Sequence, residues 1–389
     1  MRKFLLGAVL LTIVPGLVKA QAAAPAGLSA VILGYYLETG TTTVPTTSLN
    51  LRLFTHICHG SLTADSMGNV KMPPAMAASD LVTRAHAVGV KVLVSVGGED
   101  SGSFLNAIGN EPESTKKFVS DLVAIVLKYH YDGVDIDWEF PANDGDRDGM
   151  VSVVSLLRET LQRKVRGSII SVAVPSSGGG MGFGITHPGG PAGSMSVESL
   201  VAPGGGPEKY FDAAKLATLV DFLNVRAYGF HGDYISTGYN SNLVHDPGDK
   251  TPESYSVTES MDYWVRIREC PKTKLVVGIP AYGQQFHSNH ITVKQNLRGS
   301  VQIPFKDLLK MDMQGWQQGW DQAAYASVLA SKDGKEYITF DSVQAAQIKG
   351  QWVRQQGFRG VFLSNISQDS INNDNVLAHA ARNGYAGVK

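Results

Sequence analysis

Cysteine is nearly absent from this chain: Cys58 and Cys270 are the two in 389 residues. That excludes a disulfide-stapled scaffold, and a chain of this length can build an adequate core without cross-links. Cys58 falls in an apolar stretch and Cys270 in a loop far along the chain, so two unpaired thiols are expected. An excess of either charge is missing as well. The 34 basic and 35 acidic residues leave a formal net charge of −1, which gives no attraction for nucleic acid or an anionic membrane. The histidines, His56, His59, His86, His130, His187 and His231 among them, lack the spacing of metal ligands. No glycine-rich phosphate-binding fingerprint follows the first apolar stretch. Neither a metal nor a cofactor is expected.

Long apolar runs are also lacking. Phe4 to Val14 is too short to span a bilayer and is broken by Pro15 and Gly16. With Arg2 and Lys3 before it and Val18-Lys19-Ala20 after it, the run reads as a signal peptide over 1–20, with no membrane anchor. The expected product is a secreted, extracellular or periplasmic protein of residues 21–389, and a monomer.

What is present is an alternation. Apolar extended stretches are expected over 28–36, 54–61, 90–96, 131–140, 168–175, 222–228, 274–282 and 360–366. Stretches of helical spacing lie between most of them, at 80–88, 113–129, 150–164, 211–219, 257–268 and 342–356, with a last one at 375–383. Continuous Val/Ile/Leu runs suit parallel strands buried on both faces. Eight such strands favour a closed α/β barrel, the (β/α)8 or TIM barrel, over an open doubly wound sheet, with the active site at the strand C-terminal ends. Ser176 to Pro207 is a Gly/Pro-rich loop on that same side. Gly283 to Thr339 is longer than one helix and a loop require.

The functional signal is the stretch Tyr131 to Phe140. Read as a strand, it turns Asp135, Asp137 and Glu139 to one face and Val134, Ile136 and Trp138 to the other. Three carboxylates on one side of an apolar strand repel one another and are costly to remove from water. A solvated acidic edge strand would avoid that cost, but the apolar flank argues for burial and so for function.

The octet Asp132 to Glu139 resembles the Asp-x-x-Asp-x-Asp-x-Glu signature of glycoside hydrolase family 18, the chitinase family, at the end of the fourth barrel strand. Further motifs are similar: Gly34-Tyr35-Tyr36, Ser95-Val96-Gly97-Gly98 and Lys274 to Gly283 with its Tyr282. The run Tyr239 to Leu243 resembles a loop common after the sixth strand. Four positions depart from the family pattern. The sixth-strand Met-x-Tyr-Asp is Arg226-Ala227-Tyr228-Gly229 here, the arginine expected after Tyr282-Gly283 is Gln284, and Ser364 stands where a tryptophan floors the subsite.

The resemblance implies a (β/α)8 barrel with a small, reduced α+β insertion over 283–339, between strand seven and its helix. It implies a glycosidase acting on chitin or chitooligosaccharides, with Glu139 as proton donor and Asp137 orienting the substrate's own acetamide, whose carbonyl attacks to form an oxazolinium ion. Asp135 would share a proton with Asp137, and Tyr228 would bond to the acetamide. Tyr35, Ser95, Gly98, Asp132, Trp138 and Tyr282 would line the sugar site. Two alternatives stay open: an endo-N-acetylglucosaminidase on another glycan, and a non-catalytic chitinase-like lectin. Weaker signals read as structural: Asp144 to Gly149 as a solvated loop rather than a calcium site, and Asn365-Ile366-Ser367 as a sequon hidden in a strand. His231 and Asp233 are placed by default in a loop, close enough to supply a polar group lost at Gly229.

Overall fold

The computed structural model describes residues 29–38, 43–99, 101–176, 206–231, 237–249, 255–287 and 300–388. The expected signal segment, Asp233 and nearly all of the Gly/Pro-rich stretch lie outside the described residues. Each of the eight expected strands forms: β1 (Val31–Leu37), β2 (His56–Ala64), β3 (Lys91–Gly98), β4 (Gly133–Trp138), β5 (Ile169–Pro175), β6 (Phe222–Arg226), β7 (Leu275–Pro280) and β8 (Gly360–Ser364). Successive strands pair in parallel around the ring, and β8 returns to β1, closing the barrel. Among the described residues no helix is long and apolar enough to cross a membrane.

Two layers divide the apolar residues. Outward side chains such as Val94, Val134, Ile136, Val172 and Val225 pack beneath the surrounding helices. Inward ones, including Leu33, Cys58, Leu93, Phe222, Val276 and Phe362, fill the barrel itself. Such an interior is a packed core, with room for chemistry only at its upper end. Both cysteines are buried and unpaired.

The helices Pro112–Tyr129, Asp144–Lys164 and Val343–Gln356 follow the expected spacing. One boundary differs. The run Asp144 to Gly149 is the first turn and a half of a helix, not a loop, because Asn143 caps it by accepting from the Asp146 amide. Acidic residues suit that position, where they face the positive end of the helix dipole. Asn365 likewise leaves the eighth strand to cap Ile366–Asp369, accepting from Ser367 N at 2.9 Å.

The long segment after β7 folds as an antiparallel sheet, with Val301–Pro304, Tyr282–Phe286, Tyr337–Phe340, Ala326–Ser331 and Trp316–Asp321 as neighbours in that order. With the short helix Phe305–Leu308 it is the expected α+β insertion, and it begins at Tyr282. Asn240 N donates to Thr339 Oγ1 and Tyr239 OH to Asp321 Oδ2, both at 2.9 Å, so the loop after β6 is tied to this sheet.

One glycine is required by the approach of two strand ends. Gly97 has φ +117°, and a Cβ there would stand 2.0 Å from the carbonyl oxygen of Asp137. Only a residue without a side chain lets β3 lie so close to the acidic strand. Gly97→Ala should therefore destabilise the fold by more than about 2 kcal/mol. Denaturant unfolding of the variant checks this; a loss below half of that would show that the strand ends can part freely.

Candidate active site

Side-chain alternation along β4 turns Asp135 and Asp137 into the barrel, one above the other, and Glu139 follows at the strand's C-terminal end. Asp135 is fully buried and meets four donors: Ser171 Oγ at 2.5 Å, Ser95 Oγ at 2.8 Å, Tyr35 OH at 3.2 Å and Asn224 Nδ2 at 3.3 Å. They come from β5, β3, β1 and β6, so four strands converge on one carboxyl group. Asn224 also donates to Tyr35 OH at 2.8 Å. Burial, then the nearby charge of Asp137, pushes the Asp135 carboxyl up to about 6, with the hydroxyl donors opposing.

The next layer holds Asp137, Arg226 and Tyr228. Arg226, the last residue of β6, donates through Nη2 to Asp137 and through Nη1 to Glu139. Burial pushes both carboxyl groups upward, Glu139 to about 7, and the Arg226 charge pulls against burial in each. Burial also works against the Arg226 charge, but Asp137 and Glu139 outweigh it and hold the guanidinium's proton firmly. A proton shared between Asp135 and Asp137, as expected from sequence, has no hydrogen bond to carry it among the described residues. Asp137 pairs with Arg226 instead.

Glu139 is set by the turn after β4. Its amide donates to Ser101 Oγ at 2.8 Å, and that hydroxyl donates to Asp137 O at 3.0 Å. Its carbonyl accepts from Gly102 N at 2.9 Å. A buried serine at a helix start thus holds the backbone on both sides of Trp138.

The aromatic wall is Tyr228, Tyr282, Tyr35 and Phe362. Tyr228 meets Tyr282 edge-on at 6.3 Å and Phe362 at 6.2 Å, and Tyr35 meets Phe362 at 5.4 Å. Burial pushes the Tyr228 hydroxyl up to about 12, while a hydrogen bond to Ser364 opposes the shift. Ser364, which replaces the family's tryptophan, is therefore engaged with the tyrosine beside it. Gly229 has φ +73° and offers no side chain. Gln284 donates to Ser300 within the insertion, at 2.6 Å, and His231 lies 3.8 Å from Asp249. Gly98 borders the acids, with the position of a Cβ 3.9 Å from Asp137 Oδ2, so its bareness leaves that side open.

Two expected sugar contacts are corrected. Trp138 faces outward and is fully buried under the helix Gly102–Asn110, where its Nε1 donates to Asn106 at 2.6 Å. The same alternation that turns the acids inward turns it away. Asp132 lies at the opposite end of the barrel, before β4 begins. It accepts from Val92 N at 2.8 Å, His86 Nε2 at 2.7 Å and Lys91 Nζ at 2.8 Å. Sequence reading missed Arg226, Ser101, Ser171 and Asn224. Arg226 and Asn224 were accessible to it, since the alternation that places Tyr228 inward places both on the same face.

Because Asp132 joins β3 to β4 far from the acids, Asp132→Ala should lower stability and leave ligand affinity alone. The expected loss is about 1–3 kcal/mol, mostly from the bond to Val92 N, since His86 and Lys91 are both exposed. Thermal unfolding together with calorimetry of oligosaccharide binding checks both halves; weaker binding in a stable variant would return Asp132 to the sugar site.

The sequence model of Glycosyl hydrolases family 18 matches residues 31–369. Probable chitinase 10 of Drosophila melanogaster is 26% identical over 75% of this chain and 13% of its own length. The endochitinase of Manduca sexta is 25% identical over 72% of this chain, which spans about half of that protein (51%). Among solved structures, the Ostrinia furnacalis Group IV chitinase in complex with allosamidin superposes with a TM-score of 0.77 at 21% identity, covering 93% of this chain and 100% of that one. With the family model matching most of its length and the barrel carrying all four acidic positions of the signature, this chain belongs to glycosyl hydrolase family 18.

Proposed function

We propose that this protein is a secreted glycosidase that cleaves β-1,4-linked N-acetylglucosamine polymers, chitin or chitooligosaccharides, with the substrate's own acetamide as nucleophile. The observation that carries the reading is Glu139 at the C-terminal mouth of the barrel above Asp137, both bound by one guanidinium. Two carboxylates sharing one cation do not leave the separation that an inverting mechanism needs for its water. Neither do they form an opposed acid and nucleophile, so an attacking group supplied by the substrate fits better.

Glu139 would donate its proton to the glycosidic oxygen as the bond to C1 breaks. The acetamide oxygen would attack C1 to form the oxazolinium ion, which Asp137 supports by its negative charge and by accepting from the acetamide N–H. Glu139, now ionised, would take a proton from the water that opens the ring. Tyr228, whose ring packs beside Tyr282 and Phe362, would donate to the acetamide oxygen. Tyr35, Ser95 and Asp135 sit one layer deeper and hold the acid strand.

A second reading has one observation in its favour. Ser364 spends its hydroxyl near Tyr228 and Gly229 presents none, so the shell that holds a chitin sugar is depleted. That fits a different N-acetylated glycan, cut by an endo-N-acetylglucosaminidase, or a lectin that binds without cutting. Product masses from a panel of N-acetylated glycans separate these readings.

Glu139→Gln keeps the shape of the side chain but has no proton to deliver. Turnover on chitooligosaccharides should fall by at least about 10²–10⁴-fold while binding survives. In the wild type, activity should fall as pH rises through about 7, because burial holds Glu139 protonated up to that range and the ionised form cannot act as the acid. On the acid side it should fall as Asp137 takes up a proton. A turnover rate indifferent to Glu139→Gln would remove the assignment, since the other inward carboxyl groups lie deeper in the barrel.

A further inference from the structure

Arg226 is the feature that the family resemblance does not account for. It stands where the sixth-strand motif usually carries methionine, and it places a full positive charge between the two carboxyl groups of the proposed chemistry. We infer that Arg226 is a positioning residue for the reaction: it clamps Asp137 and Glu139 together, and through its contact with one oxygen of Glu139 it sets how readily the other oxygen gives up its proton. The inference rests on the proposed role of Glu139 as acid.

The geometry carries it. Nη1 of Arg226 donates to Oε1 of Glu139, and a guanidinium has no lone pair to accept a proton in return. Any proton on Glu139 is therefore carried by Oε2, and the clamp favours the ionised form over the neutral one. Protonation of Glu139 removes its charge and weakens its bond to the guanidinium, and the proton on Oε2 is the one that passes to the leaving oxygen. Once the proton has gone, negative charge returns to Glu139 with the guanidinium already in place to receive it, which makes Glu139 a stronger acid than it would be alone. The cost falls on Asp137, whose charge is partly spent on Nη2 and less available to a cationic intermediate.

The surroundings leave Arg226 as the dominant opposing charge. Asp137 on β4 and Glu99 at the end of β3 both act on Glu139 as like charges. Tyr228 and Tyr35 face Arg226 as neutral hydroxyls, and Asp135 lies a layer below, bound by its own donors. Removing the cation therefore leaves burial and negative neighbours, and each of these favours the protonated acid.

The test is Arg226→Met, which installs the family's usual residue, with Arg226→Gln as a second neutral variant in case the first fails to fold. In either, the alkaline limb of the pH–rate profile should move upward by about 1–3 pH units relative to wild type. Arg226→Lys keeps the charge and should keep the limb near its wild-type position. Carboxyl ¹³C titration of Glu139, its signal assigned by loss in Glu139→Gln, should show the same upward movement in the neutral variants without any substrate. An unmoved or lowered midpoint in a folded neutral variant would overturn the inference. Absence of turnover on every 2-acetamido glycan, with the titration still shifting, would instead reject the proposed function and leave the clamp standing.

Discussion

Placing Asp135 and Asp137 inside a closed barrel takes two carboxyl groups out of water, and the rest of the interior is arranged to meet that cost. An ionised group transferred to an apolar medium with no partner loses far more than one side chain's packing can return. Asp135 is met by hydroxyl and amide donors drawn from four strands, so its partners also fix the register of the strands that supply them. Asp137 is met by a single cation, which Glu139 shares. The deeper acid is thus held by neutral donors and the upper pair by charge, which leaves the upper pair the more responsive to pH and ligand.

The backbone serves the same end. Gly97 lets β3 run against the Asp137 carbonyl, and Ser101 ties that carbonyl to the Glu139 amide. Glu139 is therefore held by main-chain contacts even though it stands beyond the last paired residue of the strand. The insertion after β7 reaches the site through its first strand, where Tyr282 meets Tyr228, and is anchored to the β6 loop at Asn240. Its sheet and the barrel therefore share one wall of the cleft.

Much of this was legible in the sequence. The eight apolar runs separated the barrel strands because parallel strands buried on both faces carry continuous Val/Ile/Leu stretches, and the period of two placed Asp135 and Asp137 inward. The same period should have excluded Trp138 from the sugar site, since a residue one step along from Asp137 points the other way. Asp132 misled because membership in a motif says nothing about which end of a strand a residue occupies. The start of the helix at Asp144 was hidden by the acidic run's likeness to a calcium loop, although Asn143 is a good capping residue. Arg226 was visible yet unread: a strand pattern shows that it points inward, but not that β6 and β4, separated by β5, bring it to both acids. Contacts across the inside of a barrel depend on tilt and side-chain length, and no local pattern records them.

The central claim is that the attacking group comes from the substrate, and comparing matched oligosaccharides tests it most directly. Hydrolysis of N-acetylglucosamine tetramers and of their fully de-N-acetylated counterparts, followed by ¹H NMR of the first product formed, reports both the requirement and the stereochemistry. The account predicts cleavage of the acetylated tetramer alone, with the β-anomer appearing first. Cleavage of both at similar rates, or initial release of the α-anomer, would contradict it.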